Sequence, residues 1–242
     1  MKTSNKILLT VSLIAIGTIA GVHAAFYVKY KSGDYVAVKD MEKENYARHE
    51  LKPVKYLVVR GVDNLTIIPS DTAYADIQKE GSSRIRFRAD GDSLVVSGDT
   101  TVTNSDGSTR TERSYANINI YMTSLDVIQA SNSSFFLSGR TDSSKALSSE
   151  IVLTEGSNMQ LSRNNWEDSS ARYFGRITIR SGPSSQIVLN EYAVLQSLDL
   201  SLNGSGFRDE EAKIGALTIS SDSSSTVELH GKNLAHLNLS KE

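Results

Sequence analysis

Two stretches decide how this chain is read. One is Ile177-Thr178-Ile179, Arg180-Ser181-Gly182-Pro183-Ser184-Ser185-Gln186, Ile187-Val188-Leu189; the other is Leu217-Thr218-Ile219, Ser220 to Thr226, Val227-Glu228-Leu229. Each is a short aliphatic alternation, a small polar corner, and a second alternation. The same plan recurs upstream as Leu125-Asp126-Val127-Ile128, Gln129 to Ser134, and Phe135-Phe136-Leu137. Weaker copies are Ile151-Val152-Leu153 with Met159-Gln160-Leu161, Leu198 to Leu202, and Leu234 to Leu239. Their starts at 125, 151, 177, 198, 217 and 237 lie about 19–26 residues apart, within the range of stacked structural repeats.

A unit this small cannot bury its own apolar face, so the pattern predicts stacking. Aliphatic side chains then align in columns, and backbone hydrogen bonds run between successive coils. Sharp corners explain the serine content, because small polar side chains bond locally to the backbone. Proline occurs three times in the chain, which suits strands that need every N–H. The expected fold is all-β: a right-handed parallel β-helix-like solenoid of short serine-rich rungs, with a β-sandwich or jelly roll as the alternative. Phe135 and Phe136 cannot both point inward at period two.

Upstream, Tyr56-Leu57-Val58-Val59, Leu65-Thr66-Ile67-Ile68, Arg84-Ile85-Arg86-Phe87 and Leu94-Val95-Val96 read as strands separated by turn residues. Thr100 to Thr103 and Thr109 to Glu112 flank Asn104-Ser105-Asp106-Gly107-Ser108, which predicts a projecting hairpin.

The N-terminus differs. Lys2 and Lys6 precede an uncharged stretch, residues 7–26, and Lys29 and Lys31 follow it. Twenty helical residues span about 30 Å, enough for a bilayer core. Val22-His23-Ala24 also offers a small-x-small cleavage site after Ala24, so an uncleaved anchor and a cleaved signal peptide both stand. Residues 29–50 are crowded with charge and read as a solvated spacer, with Met41 to Leu51 able to form one or two helical turns. The domain expectation is therefore 1–28 signal or anchor, 29–50 spacer, and 51–242 β domain.

The chain of 242 residues has no cysteine and a net charge of −2. That excludes a thiol nucleophile, a disulfide framework and a zinc knuckle, and it leaves no basic footprint for nucleic acid.

Leu51 to Val59 with Asn64 to Ile68, the alternation Asn117 to Val127, and serine-rich coils such as Leu217 to Leu229 resemble the head domain of putative autotransporter adhesins. This is the GIN domain (DUF2807), found in exported proteins of Bacteroidetes. The resemblance covers Leu51 to Leu239, although Ser131-Asn132-Ser133-Ser134 stands where the family often has Gly-Ser-Gly, and Gly204-Ser205-Gly206 is the nearest match. It implies a β-helix-like envelope domain with no established enzymatic activity.

Parallel β-helices also carry polysaccharide-cleaving sites, which require clustered acids with a base. Asp90-Gly91-Asp92 reads as a turn, Asp209-Glu210-Glu211 as a loop within Gly206 to Lys213, and no paired carboxylates recur on adjacent coils. His230 and His236 bracket the last turn but fall short of a metal set. No Gly-x-Ser-x-Gly or phosphate loop occurs. No catalytic, cofactor-binding or metal-binding residue is therefore assigned, and no cofactor is expected. Asp71-Thr72-Ala73 matches an O-glycosylation tripeptide of Bacteroidetes. The segment Arg163 to Arg176 interrupts the repeat and holds Trp166, Arg172, Tyr173 and Phe174, a candidate partner-contact loop whose aromatic faces and guanidinium suit recognition. The alternative for Trp166 is that it covers the core.

The sequence thus points to an exported, non-enzymatic envelope protein: an adhesin-like or structural binding module, anchored in the inner membrane facing the periplasm or displayed at the surface. The partner would be a glycan or a protein. A polysaccharide-binding or polysaccharide-degrading β-helix protein, or an envelope-assembly component, is the alternative.

Overall fold

The computed structural model describes residues 3–33, 45–80, 82–98, 100–103, 106, 109–154, 156–162 and 170–240. The chain divides into two units, Met1–Glu44 and Asn45–Glu242.

In the first unit, helix α1 (Thr3–Ser32) contains a stretch, Leu9–Ser32, that is long and apolar enough to cross a membrane, with mean hydropathy 1.8. None of that stretch is buried by protein; Ile14, Ile16 and Phe26 are all more than 60% exposed. Apolar residues all round a helix suit lipid, whereas a core helix shows one stripe. A signal sequence near an N-terminus satisfies the same criterion of length and composition. The helix continues through Lys29 and Lys31 to Ser32, beyond the expected limit of 28.

The second unit is all-β. Its first strands are β1 (Tyr46–Glu50), β2 (Tyr56–Arg60), β3 (Val62–Pro69), β4 (Tyr74–Gln78), β5 (Arg86–Asp90) and β6 (Ser93–Ser97). Next come β7 (Thr100–Thr103), β8 (Thr109–Glu112) and β9 (Ser114–Met122). The remainder alternates between two sheets: β10 (Val127–Ser131), β11 (Ser134–Leu137), β12 (Leu147–Thr154), β13 (Asn158–Leu161), β14 (Arg172–Ser181) and β15 (Gln186–Leu189). It ends with β16 (Ala193–Leu202), β17 (Gly206–Asp209), β18 (Lys213–Ser221), β19 (Thr226–Glu228) and β20 (Leu237–Ser240).

Two nine-stranded mixed sheets result, ordered β1-β4-β9-β3-β11-β13-β15-β17-β19 and β20-β18-β16-β14-β12-β10-β2-β6-β5. From β11 to β19, and from β10 to β20, each pass of the chain pairs in parallel with the next. In the second sheet one register line runs Leu94, Leu57, Ile128, Ile151, Ile179, Leu200 and Ile219, all at most 3% exposed. In the first it runs Ile118, Leu65, Phe135, Met159, Ile187 and Phe207, all at most 2% exposed. One apolar cluster draws on both sheets, as two layers packed face to face require. Phe135 is the inward member of its pair, and Phe136 lies half-buried on the opposite face.

Corners between the sheets use left-handed backbone at Asn132, Gly156, Ser184 and Gly204. The next residue is a buried serine each time: Ser133, Ser157, Ser185 and Ser205. Ser133 Oγ donates to the Ser131 carbonyl at 2.7 Å, and Ser157 Oγ to the Thr154 carbonyl at 2.6 Å. Each bond satisfies a buried hydroxyl on a carbonyl that also accepts a backbone N–H from a neighbouring pass, Gly61 at 3.1 Å for Ser131 and Asn132 at 3.4 Å for Thr154.

Several expectations change. Tyr46–Glu50, read as spacer or helical turn, is strand β1, paired antiparallel to β4 from Tyr46↔Gln78 to Glu50↔Tyr74. The open edge of β4 supplies backbone partners that the segment lacks alone. Ser82–Arg84 forms a 3-10 turn, so β5 starts at Arg86 and meets β6 across Gly91, which has φ 56°. The β7–β8 hairpin forms with register Thr100↔Glu112, and of its expected loop only Asp106 is described. The pass β6–β9 lies outside β2–β3, so strand order departs from chain order there.

Candidate binding face

Period two sorts β4 and β9 into two faces. Ala75 and Ile77 point inward with Ala116, Ile118, Ile120 and Met122, while Tyr74, Asp76 and Gln78 point outward with Tyr115, Asn117, Asn119 and Tyr121. Pairing sets Tyr74 opposite Tyr121 and Asp76 opposite Asn119, and β1 brings Arg48 opposite Asp76.

Three groups stack across these strands. The Arg48 guanidinium lies 4.1 Å from the Tyr74 ring centroid, and the Tyr74 and Tyr121 rings are 4.1 Å apart with an interplanar angle of 13°. Arg48 also grips Asp76 with two bonds, Nε to Oδ1 at 2.8 Å and Nη2 to Oδ2 at 2.9 Å. That bond to Asp76 holds the Arg48 pKa above its ordinary value. Burial pushes the Tyr121 phenol up, with the neighbouring Tyr74 and Asp76 adding to it.

Beside the stack runs a chain of amides. Asn117 Nδ2 donates to Gln78 Oε1, and Asn64 Nδ2 donates to Asn117 Oδ1 and, at 3.2 Å, to the Tyr115 hydroxyl. Asn64 reaches this position because the β3 register shifts between Asp63 and Leu65, where Asn64 has φ 63°. Asparagine tolerates that conformation better than branched residues do. The face continues across β11 to β17 through Phe136, Gln160, Val188 and Arg208, successive register partners.

A second cluster lies near the C-terminal end. An open depression of about 410 Å³ is lined by Asn190, Glu191, Glu210, Glu211 and His230. Arg208 pairs with Glu210 at 2.5 Å, and His230 Nε2 lies 3.8 Å from Glu211. The hydrogen bond to Glu191 raises the Tyr192 pKa. Beneath it, Asp209 is 7% exposed on β17 and is not in a loop, which corrects the reading of Gly206 to Lys213. Its carboxylate accepts from the Ala212 and His230 N–H groups and from Asn233 Nδ2 at 2.9, 3.3 and 2.5 Å. Among the described residues, no group of three His, Asp or Glu side chains is placed to hold a metal ion.

The candidate contact loop is placed as follows. Trp166 lies outside the described residues. Arg172, Tyr173 and Phe174 belong to strand β14, and Phe174 is 1% exposed inside the core. Tyr173 exchanges backbone hydrogen bonds with Arg140 at 2.7 and 3.1 Å, and the Arg172 N–H donates to the Tyr192 carbonyl at 2.8 Å. The repeat therefore resumes at Arg172, earlier than expected. The Tyr74–Tyr121 face went unnoticed in the sequence. Its signal was Tyr115-x-Asn117-x-Asn119-x-Tyr121, the outward complement of the aliphatic alternation.

No family model and no curated protein matches the chain. Solved structures do. The crystal structure of a putative adhesin from Parabacteroides distasonis aligns with a TM-score of 0.53 and 12% identity, covering 81% of this chain and 76% of that one. A putative adhesin from Bacteroides fragilis aligns with a TM-score of 0.51 and 12% identity, covering 75% and 77%. At such identity the likeness is one of fold.

Proposed function

We propose that this chain is a non-enzymatic, adhesin-like binding module of the cell envelope. In this reading residues 45–240 form a β-solenoid related to the GIN-domain family, and residues 7–26 tether or export it. The observation that carries the reading is the Arg48–Tyr74–Tyr121 stack with its amide neighbours, a rigid outward face that costs little entropy to present. The neighbours' description as putative adhesins supports it. The segment around Trp166 is a second contact element in the same proposal, and Arg172 and Tyr173, which follow it in the chain, are half-buried on β14.

The test uses the full chain with a tag after Glu242. Protease is added to intact and to permeabilised cells, and binding of the detergent-purified protein to isolated envelopes is measured for wild type and Tyr74→Ala/Tyr121→Ala. Digestion only after permeabilisation places the module in the periplasm, and digestion of intact cells places it at the surface. A tenfold loss of envelope binding in the double variant is expected; equal binding by a folded double variant sinks the proposal.

A further inference from the structure

We infer that the ligand of the Tyr74–Tyr121 face is a neutral, hydroxyl-rich glycan chain, an inference that rests on the binding-module reading above. Three properties of the face converge on it.

The first is its hydrogen-bonding capacity. A carboxamide offers two donors and two acceptor sites. Among the described residues, the Gln78–Asn117–Asn64 chain leaves Gln78 Nε2 and Asn64 Oδ1 without a protein partner, and the Asn119 amide makes no side-chain bond. These groups stand beside one another and offer both donors and acceptors, the requirement for hydroxyls that do both.

The second is aromatic surface. Tyr115 is 65% exposed, and its hydroxyl already accepts from Asn64, which fixes the ring while leaving its own proton to donate. A sugar ring's C–H face packs on such a ring while its hydroxyls reach the amides.

The third is charge. Among the outward residues of β1, β3, β4 and β9, Arg48 is the one cation, and both arms of its fork are bound to Asp76. Glu50 and Asp63 at the margins add negative charge. Sulfated, phosphorylated or uronate polymers are therefore repelled. Gln78, Asn117 and Asn64 sit on three adjacent strands, a span of about 10 Å at ordinary strand spacing, which suits two sugar units laid across the strands.

The test is affinity electrophoresis of the full chain in detergent, with a soluble β-glucan, an α-mannan and an arabinogalactan as neutral probes, and with polygalacturonate and alginate as acidic ones. At least one neutral probe is expected to retard the protein. Tyr115→Ala at an exposed position and Asn119→Ala at a half-buried outward one are expected to weaken that retardation at least fivefold with unchanged urea midpoints. The inference is overturned if no neutral probe binds, if the acidic probes bind more tightly, or if both variants bind like wild type. Envelope binding that depends on Tyr74 and Tyr121 but persists after the envelopes are stripped of polysaccharide also overturns it. That result assigns the face to a protein partner and leaves the binding-module reading intact.

Discussion

Leu189 and Asp209 are register partners on adjacent strands, and a carboxylate thus continues a line that Ile67, Leu137, Leu161 and Leu189 fill with aliphatic carbon. A charge is tolerated there because three donors converge on it where the chain turns towards Asn233. Asp209→Ala strands those donors and is expected to cost about 2–4 kcal/mol. Asp209→Asn keeps one acceptor and is expected to fall between alanine and wild type. Urea midpoints of the three proteins decide it; equal midpoints would refute the account.

The two adjacent phenylalanines provide a sharper contrast. Phe135→Ala empties a position that is 1% exposed in the first-sheet column and is expected to destabilise by about 3–5 kcal/mol. Phe136→Ala, on the outward face, is expected to cost less than about 1 kcal/mol. Reversal of that order in denaturant unfolding would mean the strand register is wrong by one residue.

Corner backbone gives a prediction of opposite sign at two equivalent positions. Ser184 and Gly204 both have φ near 60°. Ser184→Gly relieves the left-handed penalty and is expected to raise stability by about 0.5–1 kcal/mol, while Gly204→Ala lowers it by about 1 kcal/mol. The Gly204 result reflects φ and not crowding, since an added Cβ there meets nothing nearer than 3.5 Å. Thermal midpoints test both.

Asp222 supplies a pH prediction. Bonds from Ser225, then Ser224, then the Gly204 N–H lower its pKa from 3.8 to about 2. A depressed carboxylate stabilises the fold above the unfolded value, and that contribution fades as pH falls from about 4 through the folded pKa. Carboxyl chemical shifts are expected to show a midpoint near 2 for wild type and a higher one in Ser225→Ala, with a smaller rise in Ser224→Ala. An unchanged midpoint in both variants would refute the hydrogen-bond cause.

Sequence spacing was enough to align Ile177, Leu198, Leu217 and Leu237, which are register partners, because inward residues recur with every pass and so reinforce one another. It placed Leu125 and Ile151 on the same line, whereas Ile151 pairs with Ile128 and Ile179. It said nothing of neighbour choice. The pass at 93–122 lies beyond 56–69 through pairings that no local pattern encodes. The proposed binding face depends on that choice: only when β4 returns beside β9 and β1 joins it do Arg48, Tyr74 and Tyr121 meet. Outward residues face no repeated packing constraint, so their alternation resembled solvent-facing filler. Asp209 was hidden for the converse reason, since an acidic triplet looks like a loop until its register partner is known.

The corners carry a consequence for how such a chain can lengthen. Gly61 alone links β2 to β3, whereas residues 98–113 link β6 to β9, yet β6 pairs with β2 and β9 with β3 in parallel. The number of residues spent at a corner is therefore decoupled from the alignment of the strands on either side. Segments inserted there add surface without a frame shift in the interior. The β7–β8 ribbon is one such addition, and an epitope grafted beside Asp106 should be displayed by a scaffold that does not need to be redesigned to carry it.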